Sequence, residues 1–314
     1  MRGGKPPGGV GVAVAGPVIR PSQEVRAALE AGTAVVALET SVLAQGLPPP
    51  RNLEAARAMS SAVRSGGAVP AWIALARGTV RVGLDDGELE ELAEPGKAVK
   101  VARRDVAPIL AAGSLGATTV SAMLWAAHRA GIAITATGGI GGVHRRGRDV
   151  SADLAELART PGMLVCSGPK SIVDAEATLE RLEELGVAVV GYRTDRLPAF
   201  VVRHSGLALE HRVETPEEAA AVVAAGRDAG AAILLCNPVP EPHGLAPDRV
   251  EAAVVRCEAR ADREGITGKA RTPFLLACLA EETAGASLEA NLALLESNAT
   301  LAAEVAAALA GQRR

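Results

Sequence analysis

Hydrophobic and polar positions repeat one figure along the chain. A stretch of helical periodicity ends on glycine, and a short, wholly apolar run follows. "HRAG" precedes "IAITATGG", "LEELG" precedes "VAVVGYR", and "GRDAG" precedes "AAILLCNP". Glycine suits the left-handed position that closes a helix. An apolar run without alternation predicts a strand buried on both faces, as in a parallel sheet. The same pattern predicts a strand at "AVVALET" (34–40), a helix from Asn52 after a Pro-rich loop, and a strand pair in "AWIALARGTVRVG" (71–83). From 247 to 311 the pattern becomes almost wholly helical, with stops near Gly265 and Gly285. The fold class is therefore α/β: a central, mostly parallel sheet flanked by helices, with a helical C-terminal region. Residues 1–22 are Gly/Pro-rich, and their apolar part is broken by Gly16 and Pro17. They predict a flexible lead-in rather than a signal peptide, with a single α/β domain over 23–314.

Composition narrows the function classes. Hydrophobic residues are 48% and charged residues 22%, ordinary for a globular enzyme. Net charge is −3 with no basic block, which argues against broad nucleic-acid or membrane-surface binding but leaves room for a local anion pocket. Aromatics are only 2%, too few for a base-stacking platform. No apolar run approaches transmembrane length. The cysteines, Cys166, Cys236, Cys257 and Cys278, form no C-x-x-C pair. They predict buried free thiols in a reducing cytoplasm.

In such a sheet, ligands bind at the carboxyl ends of the strands. Those ends carry Glu39, Thr40 and Ser41; Arg103, Arg104 and Asp105; Thr137 and His144; Lys170; and Asn237. Of 33 basic residues only five are lysines: Lys5, Lys97, Lys100, Lys170 and Lys269. Arginine stays charged, whereas lysine can lose its proton and act as a nucleophile. Lys170 closes "MLVCSGPK" where a helix-like stretch begins, a place where the helix dipole disfavours its charge. A neutral amine there can form a Schiff base with a carbonyl. Glu39 ends an apolar strand, and apolar surroundings disfavour a charged carboxylate, a condition that suits a general acid.

Other motifs admit two readings each. "TGGIGG" either lets backbone N–H groups approach a ligand or makes a tight turn; it is not a dinucleotide fingerprint, since the third position is His144. In "GATTVSAML", Thr118 or Thr119 caps a helix, or the helix start binds phosphate. Asp149 and Asp153 either favour a helix N-terminus by their charge or offer oxygen to a hard divalent cation.

Taken together, the chain resembles the pseudouridine-5'-phosphate glycosidase family, which includes the indigoidine synthase A-like proteins. The motifs are "VALETSVLAQGLPPPRN", "VARRD", "GATTVSAM", "ATGGIGGVHR", "DVSADLAELA", "VCSGPKSIVDAEATLE", "GYRTDRLPAF", "NPVPE", "GKARTPFLL" and "ESNATLAAEVA". They cover nearly all the chain after residue 22. The resemblance implies reversible cleavage of the C–C bond joining C1' of ribose 5-phosphate to C5 of uracil, through ring opening and a lysine imine at C1'. It implies Lys170 as nucleophile, Glu39 as proton donor, and Asp149 as ligand of one divalent metal, Mn²⁺. Lys100, Val120 and Ser151, Ala152 and Asp153 match substrate-binding positions, and His144 and Asn298 match residues near the sugar. It further implies a cytoplasmic homotrimer acting on small molecules: pseudouridine 5'-phosphate, uracil and ribose 5-phosphate. This chain departs from the family at Gln45, where histidine is common, at Pro169 beside the lysine, in the order Thr40–Ser41, and in a shorter, more basic 144–149 loop. A sugar-phosphate aldolase using the same Schiff-base lysine is the alternative enzyme. A non-catalytic accessory protein is opposed by the intact Glu39, Lys100, Asp149 and Lys170.

Overall fold

The structure is a computed structural model that describes residues 18–145 and 149–312. Its strands in chain order are β1 (Ile19–Pro21), β2 (Val35–Glu39), β3 (Val69–Ala76), β4 (Thr79–Val82), β5 (Val99–Val101), β6 (Gly116–Thr118), β7 (Ile134–Ala136), β8 (Val143–His144), β9 (Gly162–Cys166), β10 (Val173–Asp174), β11 (Ala188–Tyr192), β12 (His211–Val213) and β13 (Ala232–Cys236). The helices are α1 (Gln23–Glu30), α2 (Arg51–Ser65), α3 (Asp86–Ala93), α4 (Val106–Ala112), α5 (Val120–Arg129), α6 (Ala152–Leu157), α7 (Ala175–Glu184), α8 (Pro216–Ala225), α9 (Pro247–Arg263), α10 (Arg271–Glu282) and α11 (Ala286–Gly311).

One sheet runs β1-β4-β3-β2-β7-β9-β13-β11-β12, and β5 and β6 join it through β3. Its pairs are parallel except β3 with β4 and β3 with β6. The predicted mostly parallel sheet is therefore present, and the three glycine-terminated helices lead into β7, β11 and β13. β2 and β13 are buried along their whole length, which is why their sequences do not alternate. Helices α2, α8, α9, α10 and α11 pack on one face and α1, α5, α6 and α7 on the other.

Four expectations change. Residues Ile19–Pro21 are not part of a lead-in: they pair with β4, and Ser22 caps α1 by accepting from Val25 N at 3.2 Å. The lead-in over residues 1–17 lies outside the described residues. Cys257 and Cys278 are not free thiols but a disulfide joining α9 to α10, with Cα atoms 5.7 Å apart. Neighbouring helices brought them together across 21 residues of sequence, a proximity that spacing alone does not reveal. Cys166 and Cys236 are free and buried. Third, α11 is long and apolar enough to span a membrane by length and composition. It serves here as a core helix, packed on α2, α8 and strands β2, β7 and β9. Finally, no helix starts at Lys170: β10 intervenes and α7 begins at Ala175, capped by Asp174, whose Oδ1 accepts from Ala177 N at 3.0 Å.

Candidate active site

Parallel register sets the first part of the site. Leu38 of β2 lies opposite Ala136 of β7, so the next residues, Glu39 and Thr137, emerge side by side. Thr137 Oγ1 donates to Glu39 Oε1, and Ser41 Oγ donates to Glu39 Oε2 at 2.7 Å. Two hydroxyls thus hold the buried carboxyl in one orientation. β3 outruns β2, and its Ala74–Leu75 segment pairs with β6 instead. That brings Thr118 to Thr40, and both hydroxyls donate to Ile73 O, at 2.6 and 2.7 Å. Thr40 and Thr118 therefore stitch the sheet, while Ser41 serves the site.

Lys170 is carried by two loops zipped together. Ile140 N donates to Gly168 O at 3.1 Å, and Lys170 N donates to Ile140 O at 2.9 Å. Gly168 has φ +73°, and a Cβ there would sit 2.0 Å from Pro198 O, so only glycine fits. The helix-dipole argument for Lys170 does not apply. Its electrostatic neighbour is instead Lys100, of β5. Burial, and then the charge of Lys170, push the Lys100 ammonium below its usual value of 10.5, with Asp153 and Glu39 pulling the other way.

Glu39, Ser41, Lys100, Lys170 and Thr272 line the junction of two adjoining lobes of one cleft. One lobe is walled by Val42, Phe200, Leu276 and Leu295, with the carboxamides of Gln45 and Asn291. The other is polar, and Arg104 and Lys269 add positive charge to it. Lys269 is held by Asp105 at 2.9 Å. Arg103 turns away, its guanidinium 4.6 Å from the Trp125 ring centroid and 3.7 Å from Glu156.

The polar lobe gathers most of the predicted binding residues: Val120, His144, Asp149, Ser151, Ala152 and Asp153. Val120 opens α5, but neither Thr118 nor Thr119 caps that helix. Asp153 does so from α6: Oδ1 accepts from Ser121 N and Oδ2 from Gly141 N, each at 3.0 Å. Its carboxylate clamps α5 to the glycine loop. Gly141 N is thereby spent on Asp153, and a Cβ on Gly141 would meet Ser151 Oγ at 2.4 Å, so this glycine serves close packing. Asn298 stands apart. It is fully buried and is not among the residues lining either lobe. Its Nδ2 donates to Thr137 O at 2.9 Å and its Oδ1 accepts from Asn237 Nδ2 at 3.0 Å. It ties the strand ends together behind Glu39.

Asp149 is the candidate metal ligand. Its side chain is 57% exposed and its Oδ2 lies 3.8 Å from His144 Nε2. Among the described residues no group of three or more His, Cys, Asp or Glu side chains converges to hold a metal. The donor set fits a hard cation bound by one carboxylate and completed by water, not a protein chelate. Arg145, part of the basic loop, is engaged by Glu251; Arg146 and Arg148 lie outside the described residues.

Sequence reasoning did not single out Thr272, Phe200 or Asn291 as site residues. Thr272 lies within "GKARTPFLL", but no chemistry marks it there. Phe200, one of two phenylalanines, adopts φ +62° and packs where a Gly139 side chain would otherwise go.

Comparison with known proteins gives the family. Residues 24–308 match the family model described as indigoidine synthase A like protein. A Methylobacterium nodulans protein named pseudouridine-5'-phosphate glycosidase is 49% identical over 302 residues, covering 95% of this chain and 90% of that protein. A Streptomyces griseus protein of the same name is 51% identical, covering 93% of this chain and 92% of that protein. The crystal structure of the prealnumycin C-glycosynthase AlnA in complex with ribulose 5-phosphate matches with a TM-score of 0.87 at 40% identity, over 94% of this chain and 98% of that one. An indigoidine synthase A-like protein of Thermotoga maritima gives 0.86 at 38%, over 94% and 97%. With a family model spanning nearly the whole fold and full-length relatives at about half identity, the chain belongs to the indigoidine synthase A-like family.

Proposed function

We propose that this chain is a pseudouridine-5'-phosphate glycosidase, releasing uracil and ribose 5-phosphate reversibly through a Lys170 imine. The observation that carries this reading is the position of Glu39 and Lys170 at the junction of an apolar lobe and a cationic lobe. A base suits the first and a sugar phosphate the second. Family membership and the names of the relatives support the same reaction.

A C-glycoside has no protonatable leaving oxygen toward the base, so the two-carboxylate chemistry of ordinary glycosidases is ill suited. The neutral Lys170 Nζ attacks C1' as the C1'–O4' bond opens and O4' takes a proton. Uracil C5 then takes a proton, and the Nζ lone pair expels the base, leaving an imine at C1'. Water hydrolyses the imine to ribose 5-phosphate and frees Lys170. Glu39, oriented by Ser41 and Thr137, is the proton donor. The direct test is incubation with pseudouridine 5'-phosphate and Mn²⁺. Free uracil is the expected product, and its absence overturns the reading.

The cationic lobe takes the 5'-phosphate, with Lys100 as the charged recognition element and Val120, at a helix start already capped by Asp153, lining the lobe. Unphosphorylated pseudouridine is expected to be a much poorer substrate, by roughly 100-fold or more in kcat/KM for a lost charge-assisted contact set. Equal turnover of the two compounds would sink this assignment. The pH dependence follows from Lys100, whose value in the folded protein lies below 10.5. Its charge is present below that lowered value and lost as pH rises through it. The KM for the phosphorylated substrate is therefore expected to rise on the alkaline side before an ordinary lysine would titrate.

Asp149 would hold one divalent cation, Mn²⁺ by family resemblance, largely through water. When bound it supplies positive charge beside the sugar phosphate. EDTA-treated protein is expected to lose most activity and to recover it with added Mn²⁺; full activity without added metal would remove this role. A homotrimer follows from the family resemblance and is checked by sedimentation. A cytoplasmic location accords with a phosphorylated substrate, and cell fractionation checks it. The Cys257–Cys278 bridge is buried, away from soluble reductants.

A further inference from the structure

Gln45 lies in the π-helical turn Val42–Gly46, immediately after Glu39 and Ser41. Such turns interrupt regular hydrogen bonding and often occur at functional sites. This one is pinned from behind: Asn52 Nδ2 donates to Leu43 O at 3.0 Å and to Ala93 O at 3.1 Å. Gln45 Nε2 donates to Ala98 O at 3.0 Å. A backbone carbonyl only accepts, so the amide nitrogen must face it and the carboxamide cannot flip. Its Oε1 is thereby fixed on the other side. That oxygen is buried and has no hydrogen-bond partner in the protein. A buried acceptor left unpaired is costly unless a ligand or water meets it.

Gln45 lines the apolar lobe, whose other walls include Val42, Phe200, Leu276 and Leu295. None of these side chains can hydrogen-bond. A preset acceptor among these apolar side chains, with the Asn291 carboxamide also lining the lobe, is a recognition element for a flat heterocycle carrying an N–H group. We infer that Gln45 is a specificity-determining residue whose Oε1 accepts a hydrogen bond from a ring N–H of the base. This inference rests on the glycosidase reading and adds to it which atom selects the base. A site built to pair with a donor rejects analogues that lack it, because its own acceptor is then left unpaired.

The test uses the synthetic direction, with ribose 5-phosphate and either uracil, 1-methyluracil or 3-methyluracil, on the wild type and Gln45→Met. Methionine keeps the length and apolar body and removes the acceptor. Gln45→Met is expected to raise the KM for uracil by about ten-fold or more. The KM for ribose 5-phosphate and borohydride trapping of the sugar on Lys170 should not change. The wild type is expected to reject the one methyluracil that lacks the paired N–H, and Gln45→Met to lose much of that discrimination. An unchanged uracil KM in the variant, or equal discrimination by both proteins, overturns the role of Gln45. If the variant does not fold, the wild type decides: equal use of uracil and both methyluracils overturns it. A wild type that neither forms nor cleaves the C–C bond instead brings down the glycosidase reading, and this inference with it.

Discussion

Lys170→Arg is expected to abolish uracil release, lowering turnover by roughly 10⁴-fold or more, as removal of a covalent nucleophile does. Arginine keeps the charge and much of the bulk but cannot become a neutral nucleophile at working pH. Lys170 is presented by backbone contacts, its own N–H to Ile140 O and the Gly168 turn. The substitution leaves these intact, so folding should be retained, with an unchanged circular dichroism spectrum and melting temperature. Borohydride added during turnover should leave a reduced sugar adduct on the wild type, located by mass spectrometry at Lys170, and none on the variant. Substantial activity in Lys170→Arg with no trapped adduct would mean that the lysine acts only through its charge.

Glu39→Gln is the second large effect. Glutamine fits the same space, and its amide oxygen can still accept from one of the two hydroxyls that hold Glu39, Ser41 Oγ and Thr137 Oγ1. What is lost is proton donation, worth about 10²–10⁴-fold in turnover. C–C cleavage should fall by that factor. Imine formation from free ribose 5-phosphate, read by borohydride trapping, should persist, because that aldehyde needs no base expelled. A variant that loses trapping as well as cleavage would indicate that Glu39 shapes the site rather than supplying the proton.

Glu39 was legible in the sequence because it closes an apolar run, and Lys170 because it stands just beyond one that ends at Cys166. A run without alternation marks a strand buried on both faces, and its polar last residue must then stand at the sheet edge. The α/β architecture was legible for the same reason, as were the strand pair around Gly78 and the helical end of the chain. Lys170 does line the cleft, but the local reason expected for it differs. The residues after it resemble a helix because α7 does follow, yet β10 comes first. That short strand is held by pairing with β8, a tertiary contact with no periodicity of its own.

Other features depended on which groups folding brings together. Thr118 and Thr119 look like caps, but Asp153, 32 residues from Ser121, supplies the cap. Asn298 matches a family position near the sugar, and in the fold it is buried and hydrogen-bonded to Thr137, Asn237 and Ser167. Cys257 and Cys278 bond because α9 packs on α10. Helical patterning indicates that both helices bury a face, but not against which partner. Gln45 has the same limit, since an unpaired oxygen becomes visible only once every neighbour is in place. The sequence by itself determined the layers and the strand ends, because hydrophobic periodicity is a local property of the chain. Only the tertiary structure decided the caps, the bridge, the two-lobed cleft and the unpaired acceptor on a residue that lines it, because each depends on how atoms far apart in sequence come together.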